Sequence, residues 1–591
     1  MRCPTLPCHN DFARSNHETC SPDHPMQDKI LRRTFVKSLA AGGLLAQLGL
    51  WHAPLQATGR RHRPAILTGN EFDLLLAQTS VDFAGASHRA MTINGTLPGP
   101  TLRWREGDTV TLRVRNRLDA PGSIHWHGIL LPANMDGVPG MSFDGIAPGG
   151  LYEYHFKVRQ HGTYWYHSHS ALQEQSGVYG ALVIEPSTAE PWHCDRDYVV
   201  MLTDWTDENP ERVLSKLKKQ SDYYNYQQRT VFDFIHDVSE HGWLSTLSER
   251  MGWARMTMNP TDISDVSGYT YTYLLNGRAP DDNWTALFQP GEKIRLRFIN
   301  GSSMTYFDLR IPGLKLTVVA ADGQPVEPVE VDELRIAVAE TFDVIVEPQA
   351  EAYTLFAQSM DRTGHARGTL AVREGLSAAV PEMDPRPVLT MNDVGMHHSD
   401  MADSGHGGMD HGSMGGQMQQ HPASESHNPL VDMQTLYPQP KLDDPGIGLR
   451  DNGRRVLRYA DLRSRFADPD GREPGRTLEL HLTGNMERFA WSFDGIKFSA
   501  AQPLRLKYGE RLRITLVNDT MMAHPIHLHG MWSDLEDEHG NFLVRKHTID
   551  MPPGTKRSYR VTADALGRWA YHCHMLYHME MGMFREVIVD E

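Results

Sequence analysis

The sequence predicts an all-β protein built from three consecutive β-sandwich domains. One pattern occurs three times: an Asn-Gly or Asp-Gly pair precedes a segment that starts with Gly and ends with Asn, at 107–116, 291–300 and 509–518. Apolar and polar residues alternate within each segment, as they do in a strand with one buried face. The chain also contains 50 Gly and 36 Pro residues, which is typical of a turn-rich β fold.

The first domain is predicted at about 65–190. Asn94-Gly95 supplies a hairpin turn, because this pair readily adopts the backbone conformation that tight turns require. Late in the domain, residues 162–169 read Gly-Thr-Tyr-Trp-Tyr-His-Ser-His. A similar stretch at 567–574 ends in His-Cys-His, which indicates that the first and third domains share a functional pattern.

The second domain is predicted at 191–385. Its counterpart of the late stretch, at 353–358, contains neither His nor Cys. We therefore expect this domain to lack metal ligands and to space the other two. Residues at about 205–265 lack regular alternation and indicate a partly helical insertion.

A linker at 386–439 and a third domain at 440–591 complete the predicted organisation. Within the linker, residues 391–428 are low in complexity, with six Met and six His among Gly, Ser and Asp. A segment of this composition does not form a packed core, so we expect a mobile loop.

Residues 1–57 are predicted to be an N-terminal extension with an export signal. Arg32-Arg33 is followed by an apolar run at 39–50, which is too short to span a membrane comfortably. This twin-arginine pattern predicts export of the folded protein to the bacterial periplasm. Because such signals normally begin a chain, we expect translation to start at Met26. No other segment is predicted to span a membrane.

Charge and cysteine content narrow the class of protein. The formal net charge of −16 argues against a nucleic-acid partner and favours the attraction of cations. The five cysteines do not form a disulfide framework. Cys194 is expected to be a small buried thiol, and the three cysteines of the first 20 residues precede the export signal. Cys573 is then the cysteine with a candidate metal role.

Four His-x-His pairs are the main chemical signal: His125/His127, His167/His169, His527/His529 and His572/His574. With 31 His in 591 residues, chance gives roughly 1.6 such pairs, so the spacing alone is weak. Cys573 lies within the last pair, and neighbours on an extended backbone point to opposite sides. A thiolate with imidazoles and a weak thioether makes a blue-copper site on one side, which leaves the two flanking imidazoles for a second metal centre.

In their order and surroundings, these motifs resemble those of the multicopper oxidases. The matching stretches are 125–128, 167–169, 524–530 and 572–583. The Met/His-rich segment and the twin-arginine signal resemble those of the bacterial copper-resistance protein A subfamily. The resemblance implies three cupredoxin-like Greek-key β-sandwich domains and four copper ions. A zinc site is the alternative, but zinc takes about four ligands in one shell, and the motifs contain twelve candidate ligands.

The resemblance also implies a role for each ligand. The type 1 copper would be bound by His524, Cys573, His578 and, as axial ligand, Met583. The type 2 copper would be bound by His125 and His527. The two type 3 coppers would be bound by His127, His167, His169, His529, His572 and His574. The implied reaction passes single electrons through Cys573 and reduces dioxygen to water.

Two acids are candidate proton donors. Asp136 matches the family's acid after the first motif, although an Asp before Gly137 is also a common turn residue. Many relatives have a carboxylate directly after the histidine that matches His578. Here that position is Met579, and Glu580 follows as a second candidate.

The electron donor is the most open question. Soft thioethers select Cu(I), so the Met/His-rich segment is a candidate Cu(I)-capture site through Met391, Met396, His397, His398, Met401, His406, Met409, His411, Met414 and Met418. The alternative is a flexible linker. A second candidate is a thioether patch, for which the alternative is ordinary core or surface Met, at Met251, Met256 and Met258. A third is an acidic turn that attracts cations, for which the alternative is a solvated turn, at Asp534, Glu536, Asp537 and Glu538.

Three functions are therefore compared. The first is oxidation of Cu(I) to Cu(II) as a detoxification step, with a periplasmic copper carrier protein as a candidate partner. The second is laccase-like oxidation of small phenols. The third is periplasmic copper sequestration, which does not require the oxygen-reducing motifs.

Overall fold

The computed structural model describes residues 64–396 and 418–591. The predicted export signal, the start at Met26 and the three N-terminal cysteines lie outside the described residues. The same holds for seven of the candidate Cu(I)-capture residues: His397, His398, Met401, His406, Met409, His411 and Met414. No helix within the described ranges is both long and apolar enough to cross a bilayer.

Domain one consists of two sheets, with strand orders β1-β4-β9-β8-β6 and β3-β2-β5-β7. Its strands are β1 Ile66–Thr68, β2 Glu71–Phe83, β3 Ala86–Ile93, β4 Thr101–Arg105, β5 Thr109–Asn116, β6 His125–His127, β7 Leu151–Lys157, β8 Gly162–His167 and β9 Tyr179–Glu185. The burial of β5 alternates along the strand as predicted. Both β6 and β8 are buried along their whole length.

Domain two repeats this plan, with sheets β11-β10-β13-β18-β15-β16 and β12-β20-β19-β14-β17. Its strands are β10 Arg196–Thr206, β11 Tyr271–Leu275, β12 Trp284–Leu287, β13 Ile294–Asn300, β14 Phe307–Arg310, β15 Leu316–Ala321, β16 Gln324–Val331, β17 Glu333–Ile336, β18 Thr341–Val346, β19 Ala352–Ser359 and β20 His365–Ala371. The predicted insertion contains three helices: α1 Pro210–Leu217, α2 Val231–His241 and α3 Trp243–Arg255.

Domain three has sheets β22-β21-β24-β29-β26-β27 and β23-β31-β30-β25-β28. Its strands are β21 Arg476–Asn485, β22 Ala490–Phe493, β23 Leu504–Lys507, β24 Arg511–Asn518, β25 His524–Leu528, β26 Ser533–Glu536, β27 Phe542–Lys546, β28 Thr548–Met551, β29 Lys556–Thr562, β30 Gly567–Cys573 and β31 Phe584–Asp590. A short helix, α4 Leu576–Glu580, joins β30 to β31. The prediction of an all-β fold with three sandwiches and a partly helical insertion is confirmed.

The repeated turn pairs have the same backbone geometry in all three domains. Both residues have positive φ, at 55° and 77° for Asn94-Gly95, 50° and 71° for Asn276-Gly277, and 52° and 72° for Asp494-Gly495. A tight hairpin turn of type I′ requires positive φ at both positions, which Asn, Asp and Gly tolerate. The turn chemistry is therefore independent of whether the domain carries histidines.

The asparagine that closes each repeated strand is fully buried and fixes the loop that follows. Asn116 donates from Nδ2 to the carbonyls of Ala120 and Ile146, at 2.8 and 2.7 Å. Asn518 donates in the same way to the carbonyls of Met522 and Met551, both at 2.8 Å. Because a buried amide donor is costly to leave unpaired, these bonds hold the loops that lead into β6 and β25, the first ligand strands.

The linker is more ordered than its composition predicts. Met391 and Met396 are only 2% and 8% exposed and belong to the apolar core. Beyond the gap at 397–417, the main chain of Tyr437 donates to Gly395 and that of Thr435 to the Asp519 carboxylate. The expectation of one mobile loop over 391–428 is thus wrong for residues 391–396, for which neighbouring domains supply a core. It is also wrong for residues 418–428, which hydrogen-bond to domain three through Gln419, Ser424 and Asn428.

Candidate metal centres

The histidines of domain one lie on two adjacent antiparallel strands. β6 pairs with β8 so that His125 is opposite His167. His125 and His127 share one face because alternate residues of a strand point the same way. Trp126, between them, points to the other side and is fully buried in the core. The strand thus turns both imidazoles away from the interior of domain one.

The histidines of domain three have the same arrangement. β25 pairs with β30 so that His527 is opposite His572 and Ile526 is opposite Cys573. His572 contacts the histidines of domain one, whereas Cys573 contacts His524. The residues of this segment therefore face two different sites, as the alternation of an extended strand predicts.

Eight imidazoles from the two domains converge in one cluster. Nε2 of His572 lies 3.2 Å from Nε2 of His169 and 3.0 Å from Nε2 of His529. Nε2 of His574 lies 3.3 Å from Nε2 of His167. The remaining rings stack across the domain boundary, His125 on His529 and His127 on His527, with centroids 3.9 and 3.8 Å apart.

The nitrogen atoms of this cluster fit metal ions. Four buried ring nitrogens have no hydrogen-bond partner among the described residues: His125 Nε2, His127 Nδ1, His527 Nε2 and His574 Nδ1. Buried polar atoms are ordinarily paired, so unpaired nitrogens that face one another indicate ligands. Burial lowers the pKa of His572 to about 3 and, with neighbouring imidazoles, holds the pKa of His127 well below its ordinary value. These two imidazoles are thus neutral, the form that binds metals.

His524, Cys573 and His578 form a second, smaller centre. Nδ1 of His524 lies 3.5 Å from the Cys573 sulfur and 3.1 Å from Nδ1 of His578, which is 3.8 Å from the same sulfur. Met583 is fully buried, and its carbonyl accepts a hydrogen bond from the Cys573 main chain at 3.1 Å. Burial raises the pKa of the Cys573 thiol, so a thiolate here requires a bound cation. Thiolate, imidazole and thioether are together the donors of a blue-copper site.

Asp136 is the predicted acid that the structure places at the cluster. It is 1% exposed, and its carboxylate accepts from Nδ1 of His529 at 2.8 Å and lies 3.2 Å from Nδ1 of His125. Its main-chain carbonyl also lies 2.8 Å from Nδ1 of His125. Hydrogen bonds to the distal nitrogen fix which nitrogen of an imidazole faces a metal, so Asp136 orients two rings at once.

Glu580, the second predicted acid, lies elsewhere. It is the last residue of α4 and is exposed. Among the described residues, no hydrogen bond or ion pair joins it to the histidine cluster. In many relatives the acid stands where this chain has Met579, and Glu580 lies one position further along the helix, on its exposed side. The structure therefore does not support Glu580 as a proton donor.

Two buried residues at the cluster were missed by sequence reasoning. Glu174 lies with Oε2 2.6 Å from Nδ1 of His167, and burial raises its pKa well above the ordinary value. His547 is a ninth imidazole, with Nδ1 3.1 Å from Nε2 of His127. Neither residue lies in a His-x-His pair, and only their positions near the motifs could have suggested them.

Domain two also contributes to the Cys573 centre, which the sequence did not suggest. Nε2 of His578 donates to Oδ2 of Asp265 at 2.8 Å, and both side chains are fully buried. The other carboxylate oxygen of Asp265 has no hydrogen-bond partner in the described part of the chain. It lines a small cavity of about 10 Å³ together with Asp262 and Asp361. A carboxylate-rich space thus adjoins the distal side of His578.

The other candidate cation-binding residues divide into exposed and buried ones. Met418 is 57% exposed, whereas Met256 and Met258 are buried in the core. Asp534 and Glu536 are also buried and pair with arginines, Asp534 with Arg545 and Glu536 with Arg513 and Arg560. Their charges are neutralised, so the expectation that Asp534 and Glu536 attract cations is wrong. Asp537 accepts hydrogen bonds within its own turn.

Comparisons with known proteins agree with this geometry. Three family models, each described as multicopper oxidase, match residues 76–189, 196–375 and 472–591. A copper resistance protein A homolog of Pseudomonas syringae pv. tomato is 69% identical, over 96% of this chain and 100% of the relative. Copper resistance protein A of Escherichia coli is 66% identical, over 95% of this chain and 100% of the relative.

Solved structures show the same fold. Fet3p, described as a multicopper oxidase that functions in iron import, superposes with a TM-score of 0.62 at 19% identity, over 89% of this chain and 91% of that chain. The predicted cupredoxin-like sandwiches are thereby confirmed. With 69% identity to a relative covered in full and a family match in each of its three sandwiches, this chain belongs to the multicopper oxidase family.

Proposed function

We propose that the chain is a periplasmic oxidase that protects against copper by oxidising Cu(I). Four Cu(I) ions each lose one electron and leave as Cu(II), while one dioxygen takes up four electrons and four protons and becomes two waters. The twin-arginine pattern supports the periplasmic location, and two of the relatives named above are copper resistance proteins.

The observation that carries this proposal is the Asp265 carboxylate, which accepts a hydrogen bond from Nε2 of His578, the ring nitrogen that faces away from Cys573. A monovalent cation approaching this side meets Asp262, Asp265 and Asp361, all at most 6% exposed. Burial raises the pKa of Asp262 and Asp361, so a cation that takes the place of their protons is attracted by the carboxylates, whereas a phenol gains nothing from them. An electron leaving Cu(I) here has a direct route across the Asp265–His578 hydrogen bond toward Cys573.

The residues that would hold the resident copper follow from the two centres. One copper would be bound by His524, Cys573, His578 and Met583, and three would be bound by the eight clustered histidines. When bound, these ions supply one-electron transfer and the reduction of dioxygen. Cys573 joins the centres covalently through its neighbours His572 and His574, so an electron crosses only backbone and side-chain bonds between them.

The protein's own part at the oxygen-reducing cluster is to orient, to exclude water and to hold protons. Asp136 and Glu174 fix three of the rings through their distal nitrogens. Seven of the eight clustered histidines are at most 2% exposed, and His169 is partly exposed. Asp136 is within hydrogen-bond distance of two histidines from different domains, which suits it to pass protons to the reacting oxygen.

The test compares oxygen consumption driven by Cu(I) with that driven by a phenol. We expect Asp262→Asn to lower kcat/KM for Cu(I) roughly tenfold, about 1.4 kcal/mol, and to leave phenol oxidation nearly unchanged. Glu240→Gln is the matched control, because Glu240 is an exposed acid of the same insertion. Equal losses with both donors would contradict Cu(I) as the substrate and favour the laccase-like alternative. Failure of both donors in the wild-type protein would favour sequestration.

A further inference from the structure

A second group of histidines and carboxylates lies outside the two centres described above. It consists of His421, Glu425, His481 and Asp519, and we refer to it as the His421 cluster. Oδ2 of Asp519 lies 2.6 Å from Nδ1 of His481 and 3.2 Å from Nδ1 of His421. The Glu425 carboxylate lies 3.3 Å from Nδ1 of His421 and 3.6 Å from Nδ1 of His481.

The four residues come from separate parts of the fold. His421 and Glu425 belong to the ordered end of the linker, His481 to β21, and Asp519 follows β24 directly. The side chains of His481, Glu425 and Asp519 are at most 1% exposed, and that of His421 is 11% exposed. Such burial of two carboxylates is costly unless cations compensate their charges.

Contacts on the far side of His421, His481 and Asp519 leave one possible metal-binding atom of each residue directed toward the centre of the cluster. Nε2 of His421 donates to the carbonyl of Thr435 at 3.0 Å, and Oδ1 of Asp519 accepts from the Thr435 main chain at 2.8 Å. Nε2 of His481 lies 3.4 Å from the Glu479 carboxylate. Hydrogen bonds of this kind to distal atoms are the usual supports of metal ligands.

Two atoms of the cluster are buried without a hydrogen-bond partner within residues 64–396 and 418–591. These are Nδ1 of His421 and Oε1 of Glu425, which have neighbours within 3.6 Å but not the alignment of a hydrogen bond. His481 and Asp519 hydrogen-bond each other, but the two unpaired atoms beside them indicate a missing partner, because buried polar atoms are ordinarily paired.

We propose that the His421 cluster is a binding site for a divalent transition-metal ion, separate from the copper centres of the oxidase and occupied by Cu(II). Two imidazoles and two carboxylates make a four-ligand nitrogen and oxygen set, which suits Cu(II) or Zn(II). Such a site binds Cu(II) more strongly than Zn(II) by the general order of divalent affinities. It contains no sulfur, so it does not select Cu(I).

The site lies next to the electron-accepting centre. Asp519 precedes Thr520, whose hydroxyl lies 2.8 Å from Nε2 of His524. A metal bound by His421, Glu425, His481 and Asp519 would hold the linker on domain three, one residue from that contact. It also places a site for Cu(II), the product of the proposed reaction, close to His524 of the electron-accepting centre.

The experiment uses the copper-loaded full chain with its resident copper intact. Zn(II) is the first probe, and its uptake is measured by isothermal titration calorimetry. Because Zn(II) is silent in electron paramagnetic resonance, a signal from Cu(II) that displaces it is then easily recognised. To remove competing ligands, the titration is done in a background in which His397, His398, His406 and His411 are all replaced by Gln. Cu(II) is then added to test displacement of the bound Zn(II).

We expect one Zn(II) per chain in this background, displaced by Cu(II) with a new resonance signal from nitrogen ligands. Added His421→Gln, and separately Glu425→Gln, should weaken uptake beyond the roughly 10–100-fold that outer-shell losses cause, with the blue absorption retained. His427→Gln is the matched control, since His427 is an exposed histidine of the same segment.

Two results would overturn the proposal. The first is the absence of a stoichiometric Zn(II) site in the background protein, which would leave the cluster as a network of ion pairs. The second is unchanged uptake in both His421→Gln and Glu425→Gln. If one variant does not fold, as judged by loss of the blue absorption, the other variant and the background titration still test whether the His421 cluster binds a metal ion. The outcome does not depend on which donor the oxidase uses.

Discussion

The Asp136 carboxylate accepts a hydrogen bond from His529 at 2.8 Å across the boundary between domain one and domain three. The same boundary is closed beside it by Val138, which packs on Ala570 and Phe584. Neither domain alone can therefore form the complete set of clustered imidazoles. The acid that serves this cluster is fixed by the same contact that joins the domains.

Asp136→Asn is expected to keep the copper content but slow oxygen reduction. The amide preserves the shape of the hydrogen bonds and removes the group that exchanges protons, so kcat should fall by about 10²–10⁴. Oxygen consumption together with copper analysis tests this. Asp144→Asn, an exposed acid of the same loop, should have no effect. Loss of copper in Asp136→Asn would assign the residue to orientation instead.

Cys573→Ser should abolish the intense blue absorption and all turnover with every donor. A hydroxyl does not replace the thiolate of a blue-copper site, and the same residue joins the two centres. Visible absorption and oxygen consumption are the measurements, with Cys194→Ser as control, because Cys194 is only partly buried and free. Substantial oxygen reduction in Cys573→Ser would contradict the assigned electron path.

Removal of copper should lower the thermal stability of the protein. Ligands that bind only the folded state stabilise it in proportion to the logarithm of their free concentration over Kd, and here four buried imidazoles have a ring nitrogen without a hydrogen-bond partner among the described residues. Calorimetry of the apo and copper-loaded protein should show a higher Tm for the loaded form. Equal Tm values would argue against copper in the buried histidine cluster.

Lys546→Met should destabilise the protein without a direct effect on the ligands. Lys546 is fully buried and lies 3.0 Å from both Asp322 and Glu340 of domain two. Loss of its charge leaves two buried carboxylates uncompensated, which typically costs about 3–5 kcal/mol. Denaturant unfolding measures the change, and Lys507→Met is the control, because Lys507 is an exposed residue of β23. A loss below 1 kcal/mol would mean that the two acids become protonated at little cost.

Replacement of the Met and His residues between 397 and 417 by Gln should lower Cu(I) oxidation more than phenol oxidation. The change leaves the chain length and the packed residues Met391 and Met396 intact, so it tests metal capture without disturbing the core. Rates with both donors are compared, and resistance to copper in cells is the second readout. A uniform loss would count against capture by this segment.

The sequence predicted the sandwiches and the His-x-His pairs because both follow from local order. Alternation marks β5, β13 and β24, and the turn pairs need only their own φ angles. Asp265, Glu174 and His547 could not be predicted in this way. They reach their histidines through tertiary packing, Asp265 from another domain, and no spacing in the sequence encodes such a contact.

The errors have the same physical origin. Glu580 has the right residue type near the right motif, but a shift of one position on α4 directs it to solvent. Asp534 and Glu536 predict an acidic surface in the sequence, but in the structure they pair with arginines on β24, β27 and β29. Composition also could not show that Met391 and Met396 find a core in the adjoining domains.

The hydrogen bond from His578 to Asp265 gives the middle domain a part in the chemistry although it has none of the clustered histidines. A negative charge on the distal nitrogen makes an imidazole a stronger electron donor to a bound metal. We therefore expect a displacement of Asp265 to alter how readily the proposed copper centre at Cys573 accepts an electron. Changes in domain two are then expected to adapt the protein to a different donor while the histidine cluster stays constant.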